Sequence, residues 1–422
     1  MISKIKNKLN SQNTNKIMKN FFSLFILQGS NYIIPLILLP YLIRTLGIEQ
    51  FGLLAFATAT INILRGIVSY GFDLSATKKI AQNNENNNEI HKIFNSILLA
   101  KFLLSIFTFI ILSILLISFD KFNNNYEVFA LTFLLIFGDL LFPIWFFQGI
   151  EKMKFITYIK IIYKMFVVIG IVLFVNNEGD ILLVPLIDGI GSIVAGLFSL
   201  YIIKKDHNIY FSNFSISNAV IELKDGWHIF ISKFTVVLYS SINTFLLGIL
   251  STNENVGYYS MAEKVYLALR GGLSPITQAV YPYLSRTYKN NRDNYYEKVR
   301  KISAIYFFII VIISMSLYIF SDLIIQLLSN KEINQSIEIL QIFAIAFLFA
   351  IGGLYSALLI IKNEGKVLSK ITISMMTINL ICVYPVIEYW GIYGLAYLFT
   401  VIQFLQFTLQ LIYNKEIFKG KK

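Results

Sequence analysis

Residues 302–325 read ISAIYFFIIVIISMSLYIFSDLII, an apolar run with a single charged side chain, Asp322. At about 1.5 Å of rise per residue, a helix of this length crosses roughly 30 Å of hydrocarbon. Residues 21–43 and 371–389 are apolar runs of the same kind. Stretches of this length and composition predict transmembrane helices.

The whole chain repeats this composition. Of its 422 residues, 56% are hydrophobic and 14% are charged, an apolar excess beyond what a soluble core needs. Apolar runs lie near residues 21–43, 51–73, 93–118, 127–148, 155–175, 180–203, 229–250, 255–283, 302–325, 337–361, 367–387 and 391–413. The predicted fold is an all-α polytopic membrane protein with about twelve transmembrane helices.

Positive charge is concentrated in every second gap between these runs. The opposite gaps hold only Arg44, Lys121 and Lys331. Because Lys and Arg in short loops are retained on the cytoplasmic side, the pattern predicts that both chain ends are cytoplasmic. The net charge of +12 is spread over short gaps and not gathered on one solvated face, so we expect no nucleic-acid partner.

Residue types that build catalytic or metal centres are sparse. Cys382 is the single cysteine and lies in an apolar run, and the three histidines are far apart in sequence. A disulfide framework, a metal site and a cofactor are therefore not expected. The chain has no glycine-rich phosphate loop, no His-Glu metal box and no nucleophile-elbow motif, which argues against an enzyme.

The two halves of the chain share short elements at an offset of 205 residues. Gly52 is followed thirteen residues later by Arg65, and Gly257 is followed by Arg270 at the same spacing. The second copy lies six predicted spans after the first, in the eighth span against the second, and an even offset gives both halves the same orientation. The repeat thus predicts two six-helix bundles related by a pseudo-two-fold axis along the membrane normal.

This interpretation divides the chain into five parts. They are a cytoplasmic N-terminal segment (1–20), an N-terminal six-helix bundle (21–203), a cytoplasmic linker (204–228), a C-terminal six-helix bundle (229–413) and a cytoplasmic tail (414–422).

Arginines lie deep in the second and eighth predicted spans. An arginine near the bilayer centre costs roughly 2.5–3.5 kcal/mol, so Arg65 needs a compensating partner. Asn62 shares a helix face with Arg65, and Ser274 shares one with Arg270. One interpretation is an anion-binding lumen; the alternative is that each arginine is held in a salt bridge, with Asp139 as a candidate partner.

Further charges lie in other predicted spans. Lys101 and Lys164 are embedded more deeply than lysines that reach the interface, and we predict that they contribute to substrate binding. Asp139, Asp188 and Glu263 are candidates for ion coupling or for salt bridges to these cations. Because embedded cations outnumber embedded acids, the predicted lumen is net positive.

Several short motifs resemble a known transporter group. They are WFFQGIE at residues 145–151 after Pro143, the turn from Leu46-Gly47 to Phe51-Gly52, Val256-Gly257-Tyr258-Tyr259 with Ala262, and the Pro275 to Pro282 segment. In order and spacing the chain resembles Wzx-type O-antigen flippases, the polysaccharide-export branch of the MATE-like multidrug/oligosaccharidyl-lipid/polysaccharide superfamily.

The resemblance implies a specific activity. It implies a flippase of the bacterial cytoplasmic membrane that moves an undecaprenyl-diphosphate-linked oligosaccharide from the inner to the outer leaflet by alternating access. The implied partners are this glycolipid, membrane lipids, and the polysaccharide polymerase and chain-length proteins. The alternatives are a cation-coupled multidrug exporter of the same superfamily and, in a different class, a membrane oligosaccharide polymerase.

Overall fold

The computed structural model describes the backbone of residues 2–83, 86–207, 209–210, 212 and 214–418, and the side chains of these ranges apart from 2–33, His207 and Phe418. Within these ranges the regular elements are all helices. The α-helices are α1 (Ile2–Ser69), α2 (Phe72–Gln82), α3 (Asn87–Ser118), α4 (Asp120–Asn123), α5 (Tyr126–Leu141), α6 (Ile144–Gly149), α7 (Met153–Phe174), α8 (Leu183–His207), α9 (Ile216–Leu250), α10 (Asn253–Asn290), α11 (Arg292–Ile319), α12 (Ser321–Ser329), α13 (Asn334–Phe347), α14 (Gly352–Ile361) and α15 (Gly365–Tyr413). The fold is therefore the predicted all-α polytopic membrane architecture.

Nine helical segments of the described chain are long and apolar enough to cross a membrane. Two of them, residues 34–82 and 365–413, each carry two predicted spans, because the chain bends at Gly47 and Gly391 without an intervening loop. The eighth predicted span lies on α10, a continuous helix that is too polar to be counted among the nine. The number of crossings, about twelve, stays a prediction, as does the two-bundle symmetry.

Backbone conformation explains the two bends. Gly47 has a φ of 76° and Gly391 a φ of 58°, in the left-handed region that residues with a Cβ rarely adopt. A third break follows Ser69, where Tyr70 and Gly71 also have positive φ. Helix α1 therefore ends at Ser69, inside the second predicted span, and Asp73, at the end of that span, lies in the first turn of α2.

Proline marks a further interruption. Pro143 separates α5 from α6, since it cannot donate the main-chain hydrogen bond that a continuous helix would need. The other prolines lie within helices: Pro35 and Pro40 in α1, Pro185 in the first turn of α8, Pro275 and Pro282 in α10, and Pro385 in α15.

The chain clusters into two compact units, and the boundaries predicted from sequence stay a prediction. The first unit comprises Met1–Ile34 and Thr60–Val237, and its core is rich in aromatic side chains. Phe94 packs on Trp145 and Phe146 at ring-centroid distances of 5.4 and 5.6 Å. Much of the WFFQGIE motif is therefore part of the folded core and not of an exposed substrate surface.

The second unit comprises Pro35–Ala59 and Leu238–Lys422. In it, α1 and α10 make a very close backbone approach at Gly52 and Gly257. A Cβ on Gly52 would lie 1.8 Å from the carbonyl oxygen of Asn253, and a Cβ on Gly257 would lie 2.2 Å from the carbonyl oxygen of Ile48. The two contacts are related by the same 205-residue offset as the sequence repeat. Glycine is required on both helices for this crossing.

Candidate functional site

Arg65 and Asp139 form an ion pair between α1 and α5 in the first unit. The Arg65 Nε donates to Asp139 Oδ2 at 2.6 Å, and the guanidinium also donates to Asn62 Oδ1 at 3.1 Å. Asn62 lies one helical turn before Arg65, so α1 itself positions both side chains. The side chains of Arg65 and Asp139 remain 34% and 42% exposed, which leaves the pair accessible from the adjoining cavity.

Lys101 reaches the same acidic residue from α3. It is 6% exposed, and its ammonium donates to the main-chain carbonyl of Asp139. Ser105 and Thr108 lie one and two helical turns after Lys101 on α3, and they donate to carbonyl oxygens of their own helix. Lys101 therefore hydrogen-bonds to the last turn of α5, shortly before Pro143. It does not line the cavity described below.

A polar cavity of about 230 Å³ lies beside the ion pair, and residues of α1, α5, α7 and α8 line it. Three cationic side chains and two carboxylates line it: Arg65, Lys160, Lys164, Asp139 and Asp188. The Lys160 ammonium lies 5.7 Å from the ring centroid of Phe142. With Arg65 and Asp139 paired, the two lysines and Asp188 set the remaining charge, which is net positive.

The Asp188 carboxylate has its own donor within the cavity. The hydroxyl of Tyr163, on α7, donates to Asp188 Oδ1 on α8. Both carboxylates of the cavity therefore accept from protein donors, Asp139 from an arginine and Asp188 from a tyrosine. A cationic ligand would have to compete with these donors for the two carboxylates.

The remaining predicted site residues lie on α10, in the second unit. Arg270 packs over the ring of Tyr266 with 6.0 Å between guanidinium carbon and ring centroid, and Ser274 accepts a hydrogen bond from Gln278. Glu263 accepts from Thr244 Oγ1 at 3.0 Å. Across the described residues, no three His, Cys, Asp or Glu side chains are grouped as they would be to hold a metal ion.

The chain matches a known family over more than half of its length. Residues 17–288 match the family described as polysaccharide biosynthesis protein. A curated relative from Escherichia coli (strain K12), named "Putative O-antigen transporter", is 31% identical over 95% of this chain and 98% of its own length. A relative of the same name from Shigella dysenteriae is 32% identical over 93% of this chain and 99% of its own.

The chain belongs to the polysaccharide biosynthesis protein family. The family resemblance described from the sequence is thereby confirmed, and the curated relatives of this family member are named as transporters.

Solved structures agree with the fold of this polysaccharide biosynthesis family member. A multidrug resistance MATE family transporter of the MOP superfamily, in an inward-facing conformation, superposes with a TM-score of 0.70 at 15% identity, covering 93% of this chain and 96% of its own. The lipid II flippase MurJ, in an inward closed conformation, gives a TM-score of 0.69 at 16% identity, covering 94% and 87%. At these identities the likeness shows a shared fold.

The cavity gathers some of the residues singled out from the sequence and adds others. Arg65, Lys164, Asp139 and Asp188 line it, with Asn62 bonded to Arg65 at its edge. Lys101 contacts Asp139 from outside, and Arg270, Ser274 and Glu263 are placed on α10. Tyr163 was missed, although its position three residues after Lys160 places it on the same polar face of α7. The substrate roles of all these residues stay a prediction.

Proposed function

We propose that this chain is a flippase that moves a lipid-linked oligosaccharide from the inner to the outer leaflet of the bacterial cytoplasmic membrane. Family membership and the O-antigen transporter names of its relatives support the substrate class. The shared fold with a lipid II flippase supports the reaction, which is relocation of a glycolipid without covalent change.

The observation that carries the proposal is the net positive cavity among membrane-spanning helices. A lipid-linked oligosaccharide carries its charge on the phosphates that join sugar to lipid. Lys160 and Lys164 supply cations for this group, and Arg65 adds a guanidinium already oriented by Asp139 and Asn62. Sugar hydroxyls cannot cross hydrocarbon unpaired, so the glycan also needs a hydrated polar path.

The same proposal includes the route and the surroundings of the protein. Arg65 and Arg270 bind the diphosphate or anionic sugars, and the protein alternates between inward and outward access. Both chain ends are cytoplasmic. The exported glycolipid is then consumed by a polysaccharide polymerase and chain-length proteins, which are the proposed partners.

Removal of the arginines tests this function. In a strain lacking this chain, the wild-type protein should restore surface glycan, and Arg65→Ala and Arg270→Ala should each reduce it by about tenfold or more, since a charge-assisted hydrogen bond contributes roughly 1.5–3 kcal/mol. Arg286→Ala is the matched control, because Arg286 is an exposed arginine farther along α10. Membrane levels of each variant are measured by quantitative immunoblot.

A reconstituted assay separates glycolipid flipping from other transport. In proteoliposomes, the wild-type protein should make a lipid-linked oligosaccharide accessible to a membrane-impermeant glycosidase on the opposite side. Normal surface glycan in both arginine variants would contradict the arginine assignment. A wild-type protein that leaves the glycolipid inaccessible but exports organic cations would instead identify a drug exporter.

A further inference from the structure

An apolar groove of about 390 Å³ runs along the outer face of the first unit between α7 and α8. Ile162 and Phe166 form one wall and Val194 and Phe198 the other. These four side chains are each more than half exposed, so they face whatever surrounds the protein. The groove has almost no polar lining, so it is suited to a hydrocarbon ligand.

The groove adjoins the charged cavity. Tyr163 and Ala195 line both spaces, and they are the wall between them. The ring of Tyr163 faces the groove while its hydroxyl donates to Asp188 in the cavity. Gly191 permits this arrangement, because a Cβ there would lie 3.1 Å from the Tyr163 ring.

The apolar groove and the charged cavity together suit an amphipathic ligand with an anionic head. A ligand that fills both must be hydrocarbon on one side of Tyr163 and anionic on the other. Lys160 and Lys164 are one helical turn apart on α7 and line the charged side, so their ammonium groups can bracket a pair of phosphates. A polyprenyl diphosphate has this division, with its phosphates joined directly to the first isoprene unit.

We propose that this groove holds the first isoprene units of the substrate's polyprenyl chain while Lys160 and Lys164 bind its diphosphate. The inference rests on the proposed function, and it adds where the lipid is held. The sugar then extends into the cavity, the far end of the chain remains in the bilayer, and the linkage between head and tail passes between α7 and α8 beside Tyr163. Methyl branches of the isoprenoid chain pack against the aromatic side chains of Tyr163, Phe166 and Phe198.

Filling the groove tests the proposal. Val194→Trp places a large ring in the groove, and Leu197→Trp places the same ring on the same helix outside it, at a residue of similar exposure. In nanodiscs, competition binding of undecaprenyl diphosphate should be about tenfold weaker for Val194→Trp and unchanged for Leu197→Trp. Equal affinity in wild type and Val194→Trp would overturn the proposal.

The lysines are tested by comparing two probes that share the same chain. The wild-type protein should prefer undecaprenyl diphosphate to undecaprenyl monophosphate, and Lys160→Gln with Lys164→Gln should remove most of this preference. If the preference is retained, the lysines do not bind the diphosphate and the proposal fails.

Photo-cross-linking locates the bound lipid directly and does not rely on a loss of affinity. A photoreactive phenylalanine analogue at Ile162 lies in the groove, and one at Ile169 lies on the same helix about one heptad farther, outside it. Undecaprenyl diphosphate should cross-link at 162 and not at 169, and excess unlabelled probe should suppress the product. Equal cross-linking at both positions, or products formed only with phospholipid or with a second copy of the chain, would overturn the proposal.

These outcomes are separable from failure of the proposed function. If Val194→Trp binds undecaprenyl diphosphate like wild type and restores surface glycan, the groove proposal falls and the flippase function stands. If the wild-type protein moves no lipid-linked oligosaccharide in proteoliposomes, the function falls first.

Discussion

The ion pair of Arg65 and Asp139 can serve one of two purposes. Each purpose predicts a different effect of the single and double substitutions on flipping. In one, Asp139 only neutralises an embedded arginine, because an unpaired charge in the membrane is costly. In the other, Asp139 orients Arg65 so that its remaining donors meet an anion in the cavity. The 2.6 Å contact is common to both, whereas the partial exposure of the pair favours the second.

A double-mutant cycle distinguishes these roles. We expect Arg65→Gln to reduce flipping by about tenfold, Asp139→Asn to reduce it less, and the double variant to remain as impaired as Arg65→Gln. The measurement is the flipping rate in proteoliposomes at matched protein content. Recovery of wild-type flipping in the double variant would show that neutralisation is the sole role of the pair.

Some residues of the cavity could be selected from the sequence alone, and others could not. Helical spacing and charge were enough to select Arg65 and to identify Asp139 as a candidate partner, because embedded charges are rare and need compensation. Tyr163 was not selected, since an aromatic residue in an apolar helix has many structural roles. Only the fold brings its hydroxyl to Asp188 and its ring to the groove.

The crossing of α1 and α10 depends on two glycines, Gly52 and Gly257. We expect Gly257→Leu to destabilise the protein by about 3 kcal/mol or more, because even its Cβ would overlap the Ile48 carbonyl oxygen. Gly272→Leu is the matched control, since a Cβ at Gly272, on the same helix, meets no heavy atom within 4 Å. Thermal unfolding followed by size-exclusion chromatography measures both; equal stability of the two variants would contradict the close crossing.

Helix boundaries were predicted less well than helix identity. The spans on either side of Gly47, and those on either side of Gly391, are joined by a bend and not by a loop, because glycine reverses the local backbone within one residue. The sequence shows a glycine at each place but does not distinguish such a bend from an ordinary turn. The break before α2 was missed for a related reason, since Tyr70 is an unusual residue for positive φ.

Orientation of the whole molecule rests on the alternation of positive charge between gaps. The opposite gaps hold Arg44, Lys121 and Lys331, and all other gap cations lie on the side assigned to the cytoplasm. Each crossing reverses the side, so an error in the number of spans would reverse the predicted side of every later gap. Two positions that flank α7 and two that flank the helices from α13 to α14 are therefore enough to test the order in each half.

Accessibility of introduced cysteines measures this order, and the single native cysteine makes the background simple. In a Cys382→Ser background, we expect a membrane-impermeant maleimide added to intact cells to label Glu178→Cys and Lys331→Cys but not Lys154→Cys or Lys366→Cys, all of which replace exposed residues. Labelling in inverted vesicles should show the reverse. Labelling of Lys154→Cys in place of Glu178→Cys would invert the orientation, and labelling of both would mean that α7 does not cross the membrane. If the first pair behaves as expected and the second is reversed, the chain crosses the membrane an odd number of times between Glu178 and Lys331, and the repeat-based count of six spans per half is wrong.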